Sequence, residues 1–275
     1  MTRPTKVTIL GPTGRLGRAL CNAVLDSRDF TLVGAIVRSE SPAVGQDIGE
    51  MLDRAPAGCE ASVSFEAAAE KSDIILDASL PAMTVSAAER LAVMPPRCGL
   101  ITGVTGFNPD QARRIEAVAP RIPLLMAGNF SLGVAITEAL VAQAARMTSE
   151  AWDIEISETH HRNKADAPSG TALTLGRAAA RARGVSLESA SISGRDGMTG
   201  KRPAGAIGFA SSRGGAVVGE HMVRFLGEME EISIAHRAYD RAVFARGALA
   251  AAHWLCNDGA SRPPGAYSMQ DVVGG

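Results

Sequence analysis

The sequence predicts an α/β protein of two domains, in which a doubly wound parallel sheet is followed by an α+β domain with a mixed sheet. Three observations support this fold class. Short apolar runs alternate with amphipathic helical segments through the first half of the chain, and a turn punctuated by glycines follows the first of these runs. After about residue 130, several strand-like runs follow one another without helices between them. Parallel strands need helical crossovers, whereas successive strands form antiparallel or mixed sheets.

In the first half, short apolar runs predict strands and periodic segments predict the helices between them. The predicted strands are Val7–Leu10, Leu32–Val37, Asp73–Asp77, Leu100–Val104 and Pro123–Ala127. The predicted helices begin near Gly14, where apolar residues recur at helical spacing as far as Val24, and continue with Met83–Met94 and Pro109–Ala119. Because the strands are apolar throughout, helices are expected to cover both faces of their sheet.

The second half begins with a predicted helix over Gly133–Met147. The elements predicted after it are a strand over Trp152–Ser157, a helix over Ser169–Gly184, and strands over Ala190–Ser193, Ala206–Ser211, Val217–Phe225 and Glu231–His236. The alanine-rich helix Arg241–Leu255 has a long apolar face and is predicted to return to the first domain, and Arg262–Ala266 is interpreted as a short loop. The predicted domains are therefore residues 1–130 with 240–275, and residues 131–239.

Composition and charge exclude several classes of protein. The chain has 275 residues, of which 46% are hydrophobic, and a formal net charge of −1. No global positive field attracts nucleic acid or an anionic membrane, and the longest apolar helical run is too short to span a bilayer. The four cysteines form no Cys-x-x-Cys pair, and no signal-peptide pattern precedes the first strand. We therefore expect a soluble, cytoplasmic protein without a metal site.

The first strand is followed by the turn Gly11-Pro12-Thr13-Gly14-Arg15-Leu16-Gly17. Glycines in a strand-to-helix turn allow the backbone to approach a pyrophosphate, which the free amides at the start of the helix then bind. The spacing is G-x-x-G-x-x-G rather than the commoner G-x-G-x-x-G, and an ordinary β–α turn also uses glycine. The position of the turn, after the first strand and before a helix, favours a Rossmann-like dinucleotide-binding domain.

The end of the second predicted strand bears on which dinucleotide is bound. An acidic residue there would hold the ribose hydroxyls of NAD, but the strand ends in Arg38. An arginine can pair with the 2′-phosphate of NADP, although Arg38 could also be an ordinary exposed loop residue. Glu40 lies close enough to leave NAD possible, so the choice between NADPH and NADH stays open.

The stretch Glu158–Thr171 is the predicted centre of chemistry. It contains adjacent histidines, an arginine and a lysine, and it leads into a helix where Ser169 is a predicted N-cap. The first amides of that helix, at Gly170 and Thr171, would form a seat for an anion, and histidine is well matched to proton transfer near neutral pH. A solvated charged loop is one alternative. A zinc site is another, but adjacent histidines point apart and no third ligand is evident.

Five motifs together carry a resemblance to a known family. They are Gly11–Gly17 (GPTGRLG), Thr102–Phe107 (TGVTGF), Gly128–Val134 (GNFSLGV), Glu158–Ala172 (ETHHRNKADAPSGTA) and Gly208–His221 (GFASSRGGAVVGEH). The chain resembles the 4-hydroxy-tetrahydrodipicolinate reductases, also called dihydrodipicolinate reductases, from its first strand to its C-terminal tail. The resemblance implies reduction of a small cyclic dicarboxylate by NADPH or NADH, with loss of water, in the diaminopimelate route to lysine. It also implies a homotetramer joined through the second domain.

The resemblance assigns roles to residues of the predicted substrate site. His160 would donate the proton and Lys164 would be its catalytic partner. The substrate carboxylates would be held by His161, by Lys164, and by the amides of Gly170 and Thr171. Two other functions are possible for a protein with this fold. One is a reductase of another small amino or keto acid, and the other is a non-catalytic dinucleotide sensor, which would be expected to have a degraded His-His-Lys site.

The same resemblance assigns the cofactor-binding residues. The pyrophosphate would lie on Gly11, Pro12, Thr13, Gly14, Arg15 and Leu16. The nicotinamide ribose side would be lined by Gly103, Val104, Thr105, Ala127, Gly128, Asn129 and Phe130. Three features depart from the family pattern: Val104 removes a hydroxyl from the usual G-T-T-G-F, Leu80 stands where some members carry a charge, and the acidic residue is missing near Arg38. All three bear on cofactor contacts rather than on the reaction.

Overall fold

The computed structural model describes residues 3–95, 98–257 and 260–274. The strands in chain order are β1 (Thr5–Leu10), β2 (Phe30–Ile36), β3 (Ala61–Ser62), β4 (Ile74–Asp77), β5 (Gly99–Thr102), β6 (Pro123–Met126), β7 (Asp153–His160), β8 (Ser191–Ser193), β9 (Ile207–Arg213), β10 (Gly219–Leu226), β11 (Glu231–Ala238), β12 (Cys256–Asn257), β13 (Ala260–Ser261) and β14 (Gly265–Tyr267). The helices are α1 (Arg15–Leu25), α2 (Ile48–Met51), α3 (Phe65–Ala69), α4 (Pro81–Leu91), α5 (Pro109–Val118), α6 (Leu132–Met147), α7 (Gly170–Ala182), α8 (Leu187–Ala190), α9 (Ala242–Leu255) and α10 (Met269–Gly274), with a 3-10 helix at Ala119–Arg121.

The chain divides into two compact units. The first unit contains the chain up to Ser131 and again from Ala242 onward, and the second unit is Leu132–Arg241. No helix in the described part of the chain is long and apolar enough to cross a membrane.

The first unit is built on a parallel sheet of seven strands in the order β14–β6–β5–β4–β1–β2–β3. Its central strands are almost entirely buried, and Ile9, Ile75 and Leu100 have no exposed surface. Helices α1 and α9 pack against each other, and so do α4 and α5. The strand order reverses between β1 and β4, and ligands of open parallel sheets bind outside the carboxyl ends of the strands at such a point.

The second unit contains a mixed sheet of five strands in the order β11–β10–β7–β9–β8. Strand β10 runs antiparallel to β7 and β11, while β7, β9 and β8 are parallel. One face of this sheet packs on α6 and α7, where Ile156, Val223 and Phe225 meet Val141 and Leu175 in a buried core.

The predicted fold class is confirmed, because a Rossmann-like parallel sheet and a mixed sheet are both present. One prediction was wrong: Arg262–Ala266 is not only a loop, since its last two residues begin β14, which pairs with β6 at the edge of the large sheet. A strand of three residues that begins with glycine carries no periodicity, so its pairing depends on the neighbouring strand alone. The predicted strand Trp152–Ser157 also continues three residues further, to His160.

Candidate active site

The glycine turn after β1 is held by close backbone contacts. Gly11 has a φ of +81°, and a Cβ atom built on it would lie 2.9 Å from the Cα of Ser79. A Cβ atom on Gly17 would lie 2.0 Å from the carbonyl oxygen of Gly11. Gly14 differs, because nothing would approach its Cβ closer than 3.8 Å. The first and last glycines are therefore required by the geometry of the turn itself.

Helix α1 begins directly after this turn with its first amides available to an anion. Its N-cap is Gly14, which offers no capping side chain, and its first turn carries no acidic residue. Thr13, Gly14 and Arg15 are exposed, whereas Pro12 is buried. The partial positive charge at such a helix start is suited to a phosphate group.

A cleft of about 380 Å³ lies beside the ends of β1 and β2 and is lined by Arg38, Glu40, Phe65 and Arg90, among others. The guanidinium of Arg90 lies 4.5 Å from the centre of the Phe65 ring. Arg38 and Glu40 form an ion pair of 3.4 Å, and both side chains are more than half exposed. The arginine that the sequence associates with cofactor choice is thus at a cleft wall, partly neutralised by Glu40.

A buried carboxylate organises the loops that follow β4 and β5. Asp77 accepts hydrogen bonds from the backbone and hydroxyl of Ser79 and from the hydroxyls of Thr84 and Thr102. Burial raises the pKa of Asp77, and these hydrogen bonds oppose the rise. Thr102 also accepts a hydrogen bond of 3.1 Å from the amide of Val104. The loop that begins at Gly103 is therefore fixed to the neighbouring strand.

The two segments predicted to line the nicotinamide ribose meet in the first unit. A Cβ atom on Gly103 would lie 2.6 Å from the Phe130 ring and 3.1 Å from the Leu16 side chain. A Cβ atom on Gly128 would lie 3.7 Å from the Thr105 methyl group. The structure thus brings the predicted segments Gly103–Thr105 and Ala127–Phe130 together beside the glycine turn.

In the second unit, His160 is paired with a buried carboxylate on its own strand. Glu158 and His160 are two residues apart on β7, and Oε2 of Glu158 lies 2.5 Å from Nδ1 of His160. Arg213 on β9 donates to both oxygens of Glu158, at 2.9 and 2.8 Å, and the amide of Ser169 donates to Oε1 at 3.2 Å. Burial alone would raise the pKa of Glu158, but the hydrogen bonds, led by those of Arg213, lower it to about 2. Glu158 is therefore an anion at neutral pH.

A second histidine packs on His160. His221 of β10 is 5% exposed, and its ring centre lies 5.1 Å from that of His160 in an edge-to-face arrangement. Its Nε2 lies 2.9 Å from Oγ of Ser169. Burial, followed by the charge of His160, lowers the pKa of His221 to about 4, so His221 is neutral at pH 7. The predicted N-cap role of Ser169 is confirmed, since its hydroxyl accepts from the amide of Ala172.

The remaining predicted substrate residues lie on the loop and the helix that follow β7. Nζ of Lys164 lies 2.8 Å from Asp166, and the Lys164 side chain is about one-fifth exposed. His161 is half-buried, and its pKa is lowered by burial and then by the charges of Arg241, His160, Lys164 and Arg213. Gly170 and Thr171 form the start of α7, whose first turn has no acidic residue.

Three members of this cluster, Glu158, Arg213 and His221, were not assigned a role from the sequence. Each was only part of a motif, and Arg213 and His221 lie outside the stretch Glu158–Thr171. The signal that could have found them is strand register: β7 pairs with β9 so that His160 lies opposite Arg213, and with β10 so that Glu158 lies opposite His221. Among the described residues, no group of three or more His, Cys, Asp or Glu side chains is arranged to hold a metal ion.

Comparisons with known proteins show which family the chain is similar to. The family model for the N-terminus of dihydrodipicolinate reductase matches residues 5–130, and the model for its C-terminus matches residues 133–273. A 4-hydroxy-tetrahydrodipicolinate reductase of Parvibaculum lavamentivorans is 46% identical over 275 residues, covering 100% of this chain and 99% of the relative. The corresponding protein of Methylocella silvestris is 45% identical over 98% of this chain and 97% of its own length.

A solved structure shares the fold. The dipicolinate-bound dihydrodipicolinate reductase from Paenisporosarcina sp. TG-14 superposes with a TM-score of 0.76 at 21% sequence identity, over 98% of this chain and 99% of that one. At this level of identity the match supports the fold alone.

Proposed function

The chain belongs to the dihydrodipicolinate reductase family, and we propose that it reduces 4-hydroxy-tetrahydrodipicolinate to tetrahydrodipicolinate with NADH or NADPH. One hydride and one proton enter the substrate and one water leaves it. This activity would place the enzyme in the diaminopimelate route to lysine. The observation that carries the proposal is the buried pair of Glu158 and His160, 2.5 Å apart, with the amide of Ser169 at the start of α7 bonded to the same carboxylate.

The first unit is proposed to bind the dinucleotide. The turn from Gly11 to Leu16 would hold the pyrophosphate, and the segments Gly103–Thr105 and Ala127–Phe130 would lie along the nicotinamide ribose. The residues fit this role because the turn leaves no room for side chains at Gly11 and Gly17, and because α1 begins without a capping or acidic side chain. When bound, the reduced nicotinamide supplies the hydride.

The second unit is proposed to hold the substrate and to donate the proton. His161, Lys164 and the start of α7 at Gly170 and Thr171 would neutralise the two carboxylates of the ring. His160 would release a proton from Nε2 to the electron-rich centre that the hydride addition creates, since its Nδ1 is held by Glu158. Placing the proton donor and the charges before reaction lowers the barrier, because the groups do not have to reorganise.

The roles of His160 and Lys164 can be tested with matched variants. We expect His160→Gln and Lys164→Ala to lower kcat at saturating substrate and cofactor by about 100-fold or more, which is the usual contribution of a positioned proton donor. The controls are His253→Gln and Lys71→Ala, which replace exposed residues of the first unit. Near-full kcat in both site variants would refute the roles, and a wild-type protein that forms no tetrahydrodipicolinate would refute the function.

The second unit is also proposed to join the chain into a homotetramer. The face of its sheet opposite α6 and α7 presents exposed residues, including Ser157, Met222 and Ala235, whose strands pair with one another. Met222 is 38% exposed, and an apolar centre with a charged rim fits an interface between copies. Light scattering of Met222→Glu should give a smaller particle than the wild type; an unchanged mass would exclude this face as the interface.

A cytoplasmic location is proposed from the cysteines. Cys21, Cys59 and Cys98 are buried free thiols, and burial raises the pKa of Cys21 to about 12 and that of Cys59 to about 11. Unpaired thiols of this kind are typical of a reducing compartment.

A further inference from the structure

The carboxylate behind His160 is held from three sides. Glu158 is 3% exposed and accepts two hydrogen bonds from Arg213 and one from the amide of Ser169, in addition to its contact with His160. Arg213 is itself fixed, because it also donates to the carbonyl oxygen of Asp166 at 2.6 Å. A carboxylate with this many donors around it has neither the freedom to turn away from His160 nor room for a proton of its own.

This arrangement determines which nitrogen of His160 carries the proton. Oε2 of Glu158 is an acceptor, so the nitrogen that lies 2.5 Å from it, Nδ1, must be the donor. In the neutral ring Nε2 then holds the lone pair, and in the charged ring Nε2 carries the second proton. All exchange of protons with a bound molecule therefore takes place at Nε2.

The surroundings of Nε2 are consistent with that role. Gly219 of β10 lies beside this nitrogen, since a Cβ atom built there would lie 3.0 Å from Nε2. The neighbouring ring, His221, does not compete for the proton, because its own Nε2 faces Ser169 and it stays neutral. The charged groups Glu158 and Arg213 thus lie on the Nδ1 side of the His160 ring, whereas Gly219 on the Nε2 side has no side chain.

We propose that Glu158 and Arg213 are positioning residues that commit His160 to proton transfer through Nε2 and set the pH range in which His160 is an acid. The statement about the tautomer stands on the geometry of the second unit alone. The statement about proton transfer rests on the proposed reductase function. Glu158 does not touch the substrate in this proposal; it acts only through His160.

The charges that face His160 come from each element packed against it. Glu158 on its own strand favours the charged ring, whereas Arg213 on β9 and Lys164 on the following loop oppose it. His221 on β10 is neutral, and His161 is the adjacent residue on the chain. Removing the carboxylate and removing the guanidinium should therefore shift the pH dependence of catalysis in opposite directions, which a merely structural role would not produce.

The tautomer can be measured in the wild-type protein without any assay of activity. Long-range proton–nitrogen NMR on protein labelled with ¹⁵N-histidine distinguishes the two neutral tautomers, and His160→Gln identifies which of the five histidine signals belongs to His160. We expect neutral His160 to carry its proton on Nδ1. A neutral ring protonated on Nε2 would overturn the proposal, whatever the protein is found to catalyse.

The catalytic part is tested by pH profiles of kcat. Glu158→Gln should lower kcat about 10- to 100-fold and move the alkaline limb of the profile to lower pH, while KM for both substrates changes less than threefold. Arg213→Met should move that limb to higher pH, and Arg213→Lys should lie between Arg213→Met and the wild type. The control is Glu89→Gln, which removes one partner of the bidentate pair between Glu89 and Arg114 on α4 and α5 and should leave the profile unchanged.

The outcomes separate the two proposals. If the limbs of Glu158→Gln and Arg213→Met coincide with that of the wild type in an active enzyme, the positioning role is wrong although the function stands. If the wild type does not reduce the cyclic dicarboxylate but His160 carries its proton on Nδ1, the reductase function fails although the tautomer assignment stands. If Glu158→Gln does not fold, the wild-type tautomer and the Arg213→Lys profile still decide the question.

Discussion

Two regions of the molecule are proposed to bind the reacting molecules, and they are built differently. One is the glycine turn (Gly11–Gly17), and the other is the histidine network (Glu158, His160, Ser169, Arg213 and His221). The turn is held by close contacts between backbone atoms, which leave no space for side chains at Gly11 and Gly17. The network is made of side chains from three strands and the start of a helix, and Arg213 is 55 positions away from Glu158. One region depends on steric fit and the other on charge, so they should fail in different ways.

The largest loss of stability is expected at Gly17, where the backbone contact within the turn is shortest. Gly17→Ala would place a methyl group 2.0 Å from the carbonyl oxygen of Gly11, so the backbone would have to move. We expect the free energy of unfolding of the first unit to fall by about 4 kcal/mol, with loss of dinucleotide binding at every pH. The two tryptophans fall one in each unit, so Trp254 fluorescence in a Trp152→Phe background reports this unit alone.

Gly14→Ala is the matched control for the turn. Its Cβ would meet nothing closer than 3.8 Å, and its backbone is extended with a φ of −72°. Alanine at this N-cap should cost well under about 1 kcal/mol. Equal destabilisation by the two substitutions would show that steric closeness does not distinguish them.

The histidine network should instead lose stability gradually with acid. The pKa of Glu158 is lowered from 4.5 to about 2 on folding, so the folded state binds fewer protons than the unfolded state between these values. Its contribution is complete above pH 4.5 and is lost as the pH falls towards 2, an effect of about 3 kcal/mol. His221, lowered from 6.5 to about 4 by burial, should add an earlier loss as the pH falls from 6.5.

Denaturant unfolding followed by Trp152 fluorescence in a Trp254→Phe background would measure both windows in the second unit. Glu158→Gln should be less stable at pH 7 and should lack the lower window, while it keeps the loss between pH 6.5 and 4. If wild type and Glu158→Gln lose stability in parallel below pH 4.5, the ion pair with Arg213 is not what stabilises the carboxylate.

The same contrast explains how far the sequence could predict the structure. The glycine turn and the Ser169 cap were predictable because both have a local sequence signal: the spacing of the glycines in the turn, and a serine three residues before the amide of Ala172 that it caps. The roles of Arg213 and His221 were not, because they depend on the register of β9 and β10 against β7. A shift of one residue would turn these side chains to the other face of the sheet. The strand itself was predicted to end at Ser157, which hid the fact that Glu158 and His160 point to the same side.

A smaller effect is expected from crowding the network without changing its charges. Gly219→Ala would add a methyl group 3.0 Å from Nε2 of His160, and we expect kcat to fall about tenfold, which corresponds to about 1.4 kcal/mol. The backbone at Gly219 suits alanine, so stability should change little. Gly214→Ala is the control on the neighbouring loop, because a Cβ there meets nothing within 4 Å. Equal kcat in the two variants would mean that the space in front of Nε2 is not used.

The smallest effect is expected at the exposed wall of the cleft beside β1 and β2, where the first unit presents the charges of Arg38 and Glu40. Arg38 is more than half exposed and forms an ion pair of 3.4 Å with Glu40. Each charge should therefore contribute at most about 1 kcal/mol to the binding free energy of a cofactor. Arg38→Ala should therefore raise KM for NADPH by about fivefold relative to KM for NADH, and Glu40→Gln should shift the ratio the other way. Steady-state assays with each cofactor would measure both. If the ratio of KM for NADPH to KM for NADH is unchanged in both variants, the shape of the cleft selects the cofactor. The charges of Arg38 and Glu40 then have no part in that selection. Opposite shifts would mean that the turn fixes how a dinucleotide binds while Arg38 and Glu40 decide which one.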